Sequence, residues 1–115
     1  MAEYNLIKLQ KKMKKELDSA RYQHTLGVMY TAASLAMWYG TDLEQAMVAG
    51  LLHDCAKCIP NDKKIRMCKE HGIEISKVEL DAPYLLHSKL GAYLAKEKYG
   101  VKDPEIISAI QWHTT

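Results

Sequence analysis

An all-α bundle of about six helices is the fold this sequence predicts, and three observations carry it. Apolar residues recur at spacings of three and four along the chain, and no stretch of four to eight residues alternates strictly as a half-buried strand would. Capping residues open the periodic segments, and glycines close several of them. The length, 115 residues with 48% hydrophobic and 26% charged, suits one globular domain and excludes a multidomain machine.

The first helix is expected over residues 3–17, where Leu6, Leu9, Met13 and Leu17 form an apolar stripe and Lys8, Lys11, Lys12, Lys14 and Lys15 lie mostly off it as a solvated basic face. The remaining residues, 18–115, make the core of the domain. A second helix begins near Asp18-Ser19, runs through Tyr22, Leu26, Met29, Ala33 and Ala36, and stops at Gly40. Thr41-x-x-Glu44 reads as a capping box opening a third. From Ala46 to Leu52 that helix is apolar on every side, which places it in the middle of the bundle, and it ends in His53-Asp54.

Pro60-Asn61-Asp62 opens a short fourth helix closed by His71-Gly72, and a mostly polar connection leads to Pro83. The fifth helix runs from about Leu85 to Tyr99 before Gly100. Asp103-Pro104 is an N-cap with proline at the first helical position, which starts a sixth helix reaching His113. The chain stops at Thr115 without a C-cap signal, so a domain truncated at its C-terminus is expected.

Charge narrows the partners. Residues 1–21 carry six of the 16 positive and three of the 14 negative charges, leaving a nearly neutral body, so the phosphate-neutralising surplus of a nucleic-acid binder is missing. No apolar run approaches the length of about 18 residues that spans a bilayer, and Met1–Glu16 lacks the apolar core of a signal peptide. A cytoplasmic protein is expected, with no nucleic acid and no membrane as partner. Three cysteines, an odd number, then read as reduced thiols. Cys55-x-x-Cys58 resembles half a zinc site but has no second pair at matching spacing, and packing among small apolar side chains is the better account of both.

The chemistry is concentrated where polar residues follow the most apolar helix. A carboxylate at Asp54 near the core needs cations or strong donors, and a metal supplies them. Adjacent helical residues project about 100° apart, so His53 and Asp54 suit a site at the helix end that neighbouring helices complete. His24, His87 and His113, each on a different helix, are the imidazoles available for it, while His71 beside its glycine reads as a C-terminal capping residue. Imidazole and carboxylate without thiolate fit iron or manganese and tolerate zinc. Lys57, one turn past the doublet, offers a compact charge for phosphate oxygens, and Arg21, three residues before His24, offers a guanidinium for a distal phosphate or for a carboxylate. Tyr22, Tyr84 and Trp112 are rings available to stack a base.

Four motifs carry a resemblance. Arg21-Tyr22-x-His24-Thr25-Leu26-Gly27-Val28, Gly50-Leu51-Leu52-His53-Asp54-x-Ala56-Lys57, Leu85-Leu86-His87-Ser88-Lys89-Leu90-Gly91-Ala92 and Ile110-x-Trp112-His113-Thr114-Thr115 resemble, in order and separation, the YqeK family within the HD superfamily of metal-dependent phosphohydrolases. The resemblance implies an HD-domain helical bundle that cleaves diadenosine tetraphosphate symmetrically to two ADP, using iron to activate water. It implies His24, His53 and Asp54 as metal ligands, Asp54 and Lys57 as catalytic residues, and a further ligating aspartate beyond the His-Thr-Thr motif, past the last residue here. It also places Lys57, Cys58, Ile59 and Pro60 around the nucleotide with His87, His113 and Thr114. In dinuclear HD enzymes the two histidines hold a second metal instead, and both roles stay open. A homodimer is compatible with this reading. The alternatives are an HD hydrolase of another nucleotide, such as a cyclic dinucleotide, and a degenerate domain kept as a nucleotide-binding or interaction module.

Overall fold

The computed structural model describes residues 4–113, and among them the chain forms seven α-helices and no strand. They are α1 (Leu6–Glu16), α2 (Ser19–Tyr39), α3 (Leu43–Leu52), α4 (Asn61–Glu70), α5 (Lys77–Asp81), α6 (Leu86–Glu97), which a 3-10 turn (Pro83–Leu85) precedes, and α7 (Pro104–Trp112). The all-helical expectation holds. The expected start of the first helix at residue 3 lies outside the described residues, as does Thr114.

Local chemistry sets the boundaries. The Asp18 carboxylate accepts from the Arg21 amide at 2.8 Å and opens α2, while Gly40, at φ 68°, closes it in the left-handed conformation that side chains with a Cβ disfavour. The expected box at Thr41 is corrected by one residue. Asp42 is the N-cap of α3, and its carboxylate accepts at 2.9 Å from the Gln45 amide, the orphan donor three residues on. Residues 73–82, expected as a connection, contain α5, built on a capping box in which Ser76 and Glu79 exchange hydrogen bonds.

α3 lies at the centre, packed by α2, α7 and α1. Its Val48, Leu51 and Leu52 join Leu9 and Met13 from α1, Leu17 just after it, Met29 from α2, and Ile106 and Ile110 from α7 in the main core. A second cluster of Ala56, Cys68, Leu86 and Leu90 seats α4 against α6. The tightest approach is at Gly50, where an added Cβ would stand 2.9 Å from the Met29 Cα. That contact brings the His53-Asp54 end of α3 against α2. No helix among the described residues is long and apolar enough to cross a membrane.

The cysteines divide, which corrects the expectation that both members of the Cys55-x-x-Cys58 pair are packed. Cys55 and Cys68 are buried and Cys58 is exposed, its sulfur 3.6 Å from an Asp18 carboxylate oxygen. Burial, with the Asp54 charge adding to it, pushes the Cys55 thiol up to about 12. At pH 8 that leaves about one thiolate in 10⁴ at Cys55. Ellman's reagent at pH 8 is therefore expected to modify one thiol per folded chain rapidly, and Cys58→Ser to remove that fast phase. A fast phase surviving in Cys58→Ser would contradict this burial.

Candidate functional site

The site is built on Asp54, 4% exposed just beyond the C-terminal end of α3. Its Oδ2 lies 3.1 Å from Arg21 Nη1, 3.2 Å from His53 Nε2 and 3.8 Å from His24 Nε2. Its Oδ1 lies 3.5 Å from both His87 Nε2 and His113 Nε2. Four imidazoles, from α2, the end of α3, α6 and the end of α7, thus face one carboxylate, and Arg21 takes the carboxylate role of the two foreseen for it.

Three of these rings are aimed by their own backbone. Nδ1 of His53, His87 and His113 contacts the carbonyl three residues earlier, at Gly50 (2.6 Å), Tyr84 (2.7 Å) and Ile110 (2.6 Å). A carbonyl only accepts, so Nδ1 carries a proton, and Nε2 faces Asp54 as a donor when the ring is doubly protonated and as a free ligand atom when it is not. The Nε2 atoms of His87 and His113 are 3.1 Å apart, a separation at which two lone pairs repel unless a proton or a cation lies between them.

The electrostatics agree. Burial works to raise the Asp54 pKa, yet hydrogen bonds from His113 and His53 and the charges of His53 and His87 outweigh it and hold the carboxyl far below the usual range. Burial lowers the His87 pKa, whereas the hydrogen bond to Asp54 raises that of His113. The two rings of the pair are thus shifted in opposite directions.

Two sets of donors have the spacing of cation ligands: His24, His53 and Asp54, and Asp54, His87 and His113, the ligand atoms of each set lying within 4.8 Å of one another. Nitrogen and oxygen ligands about 2.1 Å from a shared ion stand roughly 3 Å or more apart, the separation found here. The residues fit a divalent cation, with Asp54 common to both sets.

The remaining expected residues surround this centre unevenly. Lys57 is half-buried with its ammonium 5.9 Å from the centre of the Tyr84 ring. Ile59 packs into the second apolar cluster, Pro60 is the N-cap of α4, and Cys58 turns to Asp18. His71 lies apart, its ring against Tyr93. One residue the sequence reading passed over stands close by: Lys64, 2% exposed, reaches back to the Lys57 carbonyl at 3.3 Å. Its signal was its spacing of four from Cys68, the other buried residue of α4.

Comparison with known proteins agrees with the four motifs. The family model described as HD domain matches residues 21–115. A protein of Halalkalibacterium halodurans named symmetrical bis(5'-nucleosyl)-tetraphosphatase is 37% identical over 103 residues, covering 90% of this chain and 54% of that protein. One of Bacillus subtilis with the same name is 36% identical over 103 residues, covering 90% and 55%. A crystal structure described as a predicted HD superfamily hydrolase involved in NAD metabolism, from Clostridium acetobutylicum, matches with a TM-score of 0.91 at 40% identity, over 99% of this chain and 60% of that one. The chain spans about half the length of the curated relatives it matches.

Proposed function

The chain belongs to the HD domain family, and from that premise we propose that it hydrolyses diadenosine tetraphosphate symmetrically to two ADP, with iron held by His24, His53 and Asp54. One observation carries the reading: four imidazoles from four places in the fold converge on a single buried carboxylate. The relatives' names supply the substrate, and the nitrogen and oxygen donors suit iron, with manganese or zinc as replacements. A cytoplasmic location belongs to the same reading, in keeping with three free thiols.

A divalent cation bound there supplies a deprotonated water near neutral pH and a Lewis-acid contact for a phosphoryl oxygen. The chain's own groups do the rest. Water oxygen bonds to one of the two central phosphorus atoms, and the bond from that phosphorus to the central bridging oxygen breaks. The bridging oxygen leaves on the second ADP, and the protons of water pass to solvent. Lys57 sets positive charge, and His87 and His113 offer their imidazoles, beside the oxygens where negative charge grows. A groove of about 470 Å³ running from His24 along Val28, Ala32 and Leu35 gives one nucleoside an apolar wall.

Incubation with diadenosine tetraphosphate and ferrous iron without oxygen is expected to give ADP alone, two per substrate consumed. ATP with AMP would refute the symmetric reading. Elemental analysis is expected to find one cation per chain for His24, His53 and Asp54, or two if His87 and His113 hold another. No retained cation after loading would refute the metal reading and favour a nucleotide-binding module.

A further inference from the structure

Lys64 is a buried charge without a counter-charge. It is 2% exposed, and its ammonium meets two neutral oxygens, the Lys57 carbonyl at 3.3 Å and Asn61 Oδ1 at 3.4 Å. Among the described residues it is ion-paired with no carboxylate. Burying an ammonium on such terms is costly, and an apolar side chain of the same length would fill the space more cheaply. Burial, with the nearby Lys57 charge adding to it, lowers its pKa accordingly.

The backbone explains what the charge is for. After α3 the chain continues in single turns, Cys55 N–H to Leu52 O at 3.1 Å, Lys57 N–H to Asp54 O at 2.9 Å and Ile59 N–H to Ala56 O at 3.3 Å. A bond of the same i to i−3 geometry onto the Lys57 carbonyl would have to come from residue 60. Residue 60 is proline and has no N–H. The Lys64 amide meanwhile donates to the Pro60 carbonyl at 2.9 Å, the first bond of α4, so the same residue ties the turn twice, through its backbone and through its side chain.

We propose that Lys64 is a positioning residue whose ammonium takes the place of the missing Pro60 N–H, fixing the peptide plane after Lys57 and thereby setting the Lys57 ammonium toward the phosphates of the substrate. The plane of that peptide is set by its oxygen, and with it one of the two soft dihedrals at Lys57. The role of Lys57 in this statement rests on the function proposed above.

The test is a double-mutant cycle read in two ways, by KM and kcat on diadenosine tetraphosphate and by ADP affinity in calorimetry. Lys64→Met is expected to raise KM and the ADP dissociation constant about fivefold, with kcat within twofold and no loss of thermal stability. In a Lys57→Ala background the same substitution is expected to change neither, because the group it positions is gone. A merely structural role would not vanish with Lys57. Equal factors in both backgrounds, or unchanged KM and ADP affinity in folded Lys64→Met and Lys64→Gln, would overturn the proposal. Loss of folding in both variants would assign Lys64 to the stability of α4 and overturn it as well. If the parent fails to turn over the substrate, the function reading fails, and the ADP arm still decides on Lys64.

Discussion

Asp54→Asn is expected to lower hydrolysis by about 10³-fold or more and to abolish tight binding of the cation. The substitution keeps the shape of the side chain and removes its charge, so it separates electrostatics from packing. Both donor sets contain Asp54, so no other single residue can disable them together. It also leaves the Arg21 guanidinium without its counter-charge. In the absence of cation the variant is expected to be less stable by about 2 kcal/mol at neutral pH, below the range for a fully buried pair because the Arg21 side chain is 34% exposed. The sign follows from the direction of the shift. A carboxyl held below its ordinary pKa contributes stability above that ordinary value and loses it as the pH falls through the lowered one, so the deficit is full at pH 7 and closes only in strong acid. Steady-state kinetics, cation content and melting curves measured with and without chelator check all three. Hydrolysis by clean Asp54→Asn within tenfold of the parent would refute the site.

The second large effect is expected from one methyl group. Gly50→Ala puts a Cβ 2.9 Å from Met29 Cα, 3.2 Å from Met29 N and 3.2 Å from the Val28 carbonyl, all of them backbone atoms that cannot turn aside. Helix propensity favours the substitution by about 0.8–1 kcal/mol. Overpacking opposes it by about 1–3 kcal/mol or more, and against backbone the upper end applies. A net loss of about 2 kcal/mol corresponds to a fall of roughly 10 °C in Tm for a domain of this size. Gly27→Ala is the control, since nothing lies within 4 Å of its Cβ position, and it is expected to stabilise by about 0.5–1 kcal/mol. Equal Tm changes in the two variants would contradict the close packing of α2 on α3.

Much of this was legible in the sequence for a definite reason. His53-Asp54 stands out because polar residues follow an apolar run, and that contrast survives without coordinates. The convergence of His24, His87 and His113 does not, since it depends on how α2 and α7 pack on α3 and how α6 packs on α7. α5 escaped although Ser76-x-x-Glu79 is spelled out, because Val78 and Leu80 remain exposed and leave no periodic apolar face to read. At α3 two capping residues stand side by side, and only geometry chooses Asp42 over Thr41. Lys64 escaped because its neighbour Lys63 is chemically identical, and which of the two turns inward is set by the phase of α4.

The carbonyls that hold the imidazoles divide the precision of the centre into two independent tolerances. Each of three rings takes its bearing from an oxygen of its own turn of helix, so aim is inherited locally and is insensitive to what the other helices do. Range alone depends on tertiary packing. A helix that slips by a fraction of an ångström carries its ring along without swivelling it, so core substitutions would weaken such a centre gradually, by stretching it, while loss of a backbone oxygen's grip would blind one donor outright.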